Sequence, residues 1–143
     1  MEDLVGMFGK FYSGKTAWVT GHTGFKGAWL SLWLRDLGAH VHGFALAPHA
    51  PPNLHETLAP NTFASETIGD IGDSDLVKNT AGEVKPDIVF HLAAQPLVRR
   101  SYDAPLETAT TNILGTAHVL EALRQNKNDC PAVVVTSDKC YEN

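Results

Sequence analysis

Residues 15–37 read KTAWVT, then GHTGFKG, then AWLSLWLRDL, and this order limits the possible folds more than anything else in the chain. Lys15–Thr20 is a short apolar run that predicts a strand. Ala28–Leu37 carries Trp29, Leu30, Trp33, Leu34 and Leu37 at helical spacing, and Gly38 stops the helix. Between them lies Gly21-His22-Thr23-Gly24-Phe25-Lys26-Gly27, a G-x-x-G-x-x-G. A strand, a glycine turn and a helix make the first half of a βαβ unit. In that setting the glycines allow a tight turn, let a pyrophosphate approach the backbone and bring the helix close to the sheet. Dinucleotide binding is the function this context favours.

Strands and helices alternate along the rest of the chain. Val41–Leu46 predicts a second strand, followed by the proline-rich turn PHAPPN. Phe63–Ile68 predicts a third strand. A helix follows from Asp73 or Ser74, either of which suits the N-cap, to about Glu83. Asp87–Leu92 is a fourth strand, Pro105 to about Asn126 a long helix, and Ala132–Thr136 a fifth strand. The unbroken apolar runs IVFHL and AVVVT suit strands buried on both faces of a parallel sheet. The expected fold is α/β, a doubly wound parallel sheet in the order 3-2-1-4-5. Residues 1–14 form a lead-in and residues 15–143 a nucleotide-binding domain. Trp29 and Trp33, four apart on one helix, are expected in the core.

A second glycine pattern competes. Residues 9–16, GKFYSGKT, match the phosphate-loop pattern G-x-x-x-x-G-K-[ST]. That motif needs a strand before it and a helix after it, so that backbone N–H groups meet the phosphates. Here a strand follows instead, and the segment reads as a turn leading into it.

Composition narrows the partners. The chain has 143 residues, 43% hydrophobic and 19% charged, which is ordinary for a globular domain. A net charge of -5 disfavours nucleic acid. No apolar stretch nears the ~20 residues that span a bilayer, and the start MEDLVGMFGK does not read as a signal peptide. Cys130 and Cys140 flank a predicted strand without disulfide or metal-ligand spacing. A cytoplasmic location is expected, with no nucleic acid, membrane or metal partner. An acidic residue about 20 positions past the glycines usually holds the adenosine ribose, but Val41–Leu46 contains none. NAD against NADP therefore stays open. Lys26, with His42 or His49, could attract a 2′-phosphate, or Lys26 is a solvated lysine at a helix start.

The segments VTGHTGFKGAWLSLWL, GDIGD, IVFHLAAQPLVRRSY, TNILGT and VVVTSDKCYEN together resemble the extended short-chain dehydrogenase/reductase family, over about residues 10–143. Within it they look like the nucleotide-sugar 4,6-dehydratases. Lys139 follows the aspartate where dTDP-glucose enzymes have glutamate, which favours the CDP-glucose branch. The resemblance implies a lyase of surface-polysaccharide metabolism with a tightly held Rossmann-bound NAD. In that family the sugar is oxidised at carbon 4, loses water across carbons 5 and 6, and takes the hydride back at carbon 6.

The resemblance also implies site residues. Gly21, Thr23, Gly24, Phe25, Lys26 and Gly27 form the loop on the cofactor pyrophosphate. Asp70 and Ile71 meet the adenine, unless Asp70 is a turn residue approaching the helix. Leu92, Ala93, Ala94, Gln95 and Thr136 border the cofactor at strand ends. Arg99 and Arg100 are adjacent and point apart, so one faces a phosphate of the cofactor or substrate. Ser137 polarises the carbon-4 oxygen, Asp138 protonates the departing water and Lys139 takes the carbon-5 base position. His91, mid-strand, reads as a partnered core histidine. For Asn112 a structural network and a cofactor role both fit.

Family members carry a Tyr-x-x-x-Lys pair beyond TSDK. Here Tyr12 is followed by Thr16, and Tyr141 has no lysine four residues on. The expectation is a dinucleotide-binding portion truncated after its fifth strand. It lacks the substrate domain and the dimerisation helix, is inactive alone, and comes from a homo-oligomeric parent. Two alternatives remain: another nucleotide-sugar epimerase or dehydratase, and a non-catalytic NAD(P)-binding module.

Overall fold

A computed structural model describes residues 8, 10–48 and 51–136. Strand β1 (Thr16–Thr20) leads through the glycine turn into helix α1 (Phe25–Asp36), and β2 (His40–Ala45) follows. A short helix α2 (Leu54–Thr57) precedes β3 (Ser65–Ile68). Helix α3 (Ser74–Val84) leads to β4 (Ile88–His91). Then come α4 (Val98–Asp103), α5 (Pro105–Ala109), a π-helical segment (Thr110–Leu114), α6 (Gly115–Gln125) and β5 (Ala132–Val134). The five strands are all parallel, in the order β3-β2-β1-β4-β5. The expected sheet is therefore the observed one. Every crossover returns through a helix or the segment that holds one, as parallel neighbours require.

The central strands β2, β1 and β4 are buried on two sides, whereas β5, expected from its apolar run to be buried as well, lies at the sheet edge with Val133 45% exposed. On one face Trp18, Phe44 and Val89 pack with Val77 and Ala81 of α3 and with Val119 and Leu123 of α6. Trp18 and Phe44 meet edge to face at 6.1 Å. On the other face Ala17, Val19, Val41 and Ile88 pack with Leu34 of α1. Each fully buried Val, Leu or Phe contributes about 1.5–3 kcal/mol by leaving water. The central strands are held at their entry as well. Asp87 accepts from the backbone N of Thr16 at 2.8 Å and sits 3.5 Å from Lys15 Nζ. That backbone bond, first among the causes, holds its carboxyl below the usual range.

Three expectations change in detail. Trp29 and Trp33 are 51% and 41% exposed, so they are not core. The buried face of α1 is Gly27, Ala28, Ser31 and Leu34, whose small residues let the helix lie close to the sheet. The large rings are turned outward, and Trp33 meets Phe8 edge to face at 5.6 Å. The long helix is interrupted by the π-helical turn at Thr110–Leu114. Helices α2 and α4, which the sequence pattern did not announce, occupy the connections after β2 and β4. The residues around the rival glycine pattern form turns that enter β1. Gly14 has φ +73° and bonds Gly38 O at 2.8 Å, and no helix follows it.

Candidate functional site: a glycine cradle at the carboxyl edge of the sheet

The chain runs β1 to β2 to β3 in one direction and then crosses to β4 on the other side of β1. The crevice outside the carboxyl ends of β1 and β4 is the topological switch point, where open parallel sheets bind ligands. The G-x-x-G-x-x-G turn lies on one side of it and the segment after β4 on the other.

On the first side the missing side chains create the shape. Gly21 has φ +76°, and a Cβ there would stand 2.7 Å from Ala93 N and 2.8 Å from Leu92 C. A Cβ at Gly27 would be driven into the Gly21 carbonyl. The first glycine thus admits the β4 segment, and the third lets α1 close over the turn. Gly24 is the N-cap of α1 and no side chain caps that helix, so its first-turn N–H groups are left to a ligand or water. This is the arrangement that receives an anion, with the helix dipole favouring negative charge. Thr23 Oγ1 donates to Leu46 O at 2.9 Å and ties the loop to the end of β2. Phe25 is 73% exposed and Lys26 lies exposed in the first turn. His42 is mid-strand on β2, bonded to Ser65 Oγ at 2.7 Å, on the sheet face that carries Trp18 and Phe44. It is therefore not a partner of Lys26 at the strand tip, and His49 is outside the described residues.

On the second side a hydrogen-bond network does the shaping. Ala93 N donates to Thr20 Oγ1 at 3.2 Å, and Thr20 Oγ1 lies 2.6 Å from His91 Nδ1. His91 Nε2 lies 3.0 Å from Thr116 Oγ1, which donates to Asn112 O at 2.9 Å. Because Thr116 gives its proton to a carbonyl, it accepts from Nε2–H. Nδ1 is then the bare nitrogen that accepts from Thr20. His91 is 2% exposed, and burial pushes its pKa down, consistent with a neutral ring. It is the partnered core histidine that its mid-strand position suggests. Asn112, in the π-helical turn, accepts from Gln95 N at 2.8 Å and donates to Gln95 O at 3.1 Å. Gln95 itself bridges Thr108 Oγ1 and both backbone groups of Leu97. Its side chain thus braces the segment, in which Leu92 packs against the core on the α1 face, Ala93 lies against Gly21 and Ala94 is exposed.

The remaining expected residues separate. Asp70, which is exposed, accepts from Gly72 N at 2.8 Å and its carbonyl accepts from Asp73 N at 3.0 Å, bonds that shape the turn into α3. Asp73 is the N-cap of α3 and accepts from Leu76 N at 3.0 Å. Ile71 is 4% exposed, with its side chain in the core and its carbonyl held by His118 Nδ1 at 3.0 Å. Arg100 is bonded through Nη2 to Glu107 Oε1 at 2.6 Å. Arg99 is exposed, and no described residue pairs with it; both arginines line a shallow concavity with Leu97, Val98, Asp103, Ala104 and Glu107. Thr136 follows β5 at the carboxyl edge, just past the Val135 N to His91 O bond of 3.0 Å. Ser137, Asp138 and Lys139 lie outside the described residues.

Known proteins share this fold and much of this sequence. The family model described as GDP-mannose 4,6 dehydratase matches residues 18–142. A CDP-glucose 4,6-dehydratase from Salmonella typhimurium is 53% identical over 133 residues, covering 93% of this chain and 37% of that protein. An epimerase from Methanothermobacter thermautotrophicus has a TM-score of 0.78 at 28% identity, covering 94% of this chain and 39% of its own. A UDP-glucose 4-epimerase from Stenotrophomonas maltophila, solved with NAD and formylated UDP-arabinopyranose, has a TM-score of 0.77 at 25% identity, covering 90% and 39%. The chain spans little more than a third of the length of each of these relatives. With a parallel sheet in this strand order, a glycine cradle at its switch point and this match, the chain belongs to the GDP-mannose 4,6 dehydratase family of nucleotide-sugar dehydratases.

Proposed function

We propose that this chain is the dinucleotide-binding portion of an NAD-dependent CDP-glucose 4,6-dehydratase. The observation that carries the reading is the turn of Gly21, Gly24 and Gly27, which packs tightly on its own backbone and on the β4 segment and leaves the first-turn N–H groups of α1 without a side-chain cap at the carboxyl edge of the sheet. The residues fit the cofactor. Gly21–Gly27 would hold the pyrophosphate, the exposed Asp70 with the Ile71 backbone would border the adenine, and Leu92–Ala94 with Thr136 would line the nicotinamide side. The cofactor, when bound, supplies the acceptor and donor of one hydride.

The rest of the site is read from the residues. Small side chains at Ala93 and Ala94 would let the cofactor approach the backbone that follows β4. Ser137 would hydrogen-bond the carbon-4 oxygen, Asp138 would give a proton to the leaving water and Lys139 would remove the carbon-5 proton. Arg99, exposed and unpaired among the described residues, is the better candidate for a substrate phosphate, because Arg100 is engaged by Glu107. The CDP-glucose assignment rests on Lys139 and on the 53% identity to a dehydratase of that name. NAD rather than NADP is favoured by a solved relative that holds NAD. No helix among the described residues is long and apolar enough to cross a membrane, which fits a cytoplasmic enzyme.

Isothermal titration of the purified chain with NAD, and with NADP for comparison, tests the reading. Saturable heat with NAD, weaker with NADP, is expected. A folded chain that binds neither would defeat it.

A further inference from the structure

The sheet face that carries α1 holds a second group of side chains, apart from the crevice. His22 comes from the glycine turn, His55 from α2 and Glu66 from β3. Their Nε2 atoms converge on one oxygen, with His22 at 2.9 Å and His55 at 2.5 Å from Glu66 Oε1. One ligand atom from each of the three lies within 4.8 Å of the others. From this geometry we infer that His22, His55 and Glu66 form a site for a borderline transition-metal dication of the zinc class.

The donor set is chemically specific. Two imidazoles and one carboxylate suit zinc and its neighbours, whereas magnesium and calcium prefer all-oxygen sites. Tetrahedral coordination at about 2.0–2.2 Å puts ligand atoms roughly 3.4 Å apart, so a small spreading of the triad admits the ion. The His22 side chain is fully buried. The hydrogen bonding of both rings is incomplete, since Nδ1 of His22 and Nδ1 of His55 are buried without a partner among the described residues. In each ring the proton can move to Nδ1 without displacing another donor, which frees Nε2 to bind a metal. One coordination position faces out, because the side chains of His55 and Glu66 are 18% and 35% exposed. Water can fill it.

The surroundings hold the rings rigidly. A Cβ at Gly43 would stand 2.5 Å from the His22 ring, so the ring lies flush on β2, opposite Glu66 in register. Phe63 flanks both imidazoles, at 5.0 Å from His22 and 5.6 Å from His55. Asn53 caps α2 by accepting from Glu56 N at 2.9 Å and so fixes the turn that carries His55. A bound ion would staple the connection after β2 to β3 and to the residue that follows Gly21.

Zinc binding to the untagged chain, measured by competition with a chromophoric chelator, tests the site. The expected result is one ion per chain and a raised melting temperature with zinc, together with cobalt(II) absorption bands typical of four-coordinate geometry. Binding should weaken by roughly 10-fold or more in His55→Ala and in Glu66→Gln, both partly exposed positions whose folding is checked by circular dichroism. His40→Ala, an exposed histidine elsewhere on β2, should bind as the unaltered chain does. No stoichiometric binding by the unaltered chain, or equal binding by His55→Ala and Glu66→Gln, would show a hydrogen-bonded triad only and overturn the inference.

Discussion

The two banks of the crevice are built by opposite means. The β1–α1 bank is shaped by what is missing, since its glycines leave no Cβ where the backbone of β4 and of the turn itself must pass. The β4 bank is shaped by what is added: Thr20, His91, Thr116, Asn112 and Gln95 bind the segment in a continuous polar network. A steric cradle has little tolerance, because a clash with backbone cannot be relieved by a rotamer change. A hydrogen-bonded brace is graded, because each bond is worth only about 0.5–1.5 kcal/mol net.

Substitutions sharpen the contrast. Gly27→Val should have the largest effect, since its side chain meets the Gly21 carbonyl. NAD binding by calorimetry should vanish and stability should fall by about 1–3 kcal/mol. Retained NAD affinity would mean that the turn can open and that the cradle is not steric. Asn112→Ala should be milder. It removes the two bonds to Gln95 and should cost about 1–2 kcal/mol in chemical denaturation, with NAD affinity reduced but present. A loss as complete as that of Gly27→Val would erase the distinction between the banks.

The smallest effect is one of pH. Burial lowers the pKa of His22, His42 and His91 in the folded chain. The unfolded chain, with histidines near ~6.5, then binds protons that the folded chain refuses. Stability is therefore full above that pH and falls as the pH drops through it. The melting temperature should decline from pH 7.5 to 5.5, and the decline should be shallower in His42→Gln. A flat profile would mean that these rings take up protons in the fold as readily as outside it.

Much of this was legible in the residues. The apolar runs of β1, β4 and β5 and the helical spacing between them predicted a parallel sheet in the observed order. Gly21, Gly24 and Gly27 announced the cradle, because a glycine's effect is local and travels with its spacing. His91 was legible as core because it sits in the middle of an apolar strand. Trp29 and Trp33 misled, because helical spacing shows that a stripe exists and not which stripe the sheet accepts. Close approach selected the small residues Gly27, Ala28 and Ser31 instead.

Networks between distant segments left no such trace. Asn112 and Gln95 are 17 positions apart, Thr20 and His91 are 71, and His22 and Glu66 are 44. No periodicity links such pairs; the pairing of strands in one sheet brings His22 to Glu66 and Thr20 to His91, and the return of the chain through the π-helical turn brings Asn112 to Gln95. The sequence by itself determined the elements, their order and the glycine turn, since these follow from short-range sterics and the spacing of apolar residues. The tertiary structure alone decided which helix face is buried, what braces the β4 bank and where two histidines meet a carboxylate, since those depend on packing that joins residues far apart in the chain.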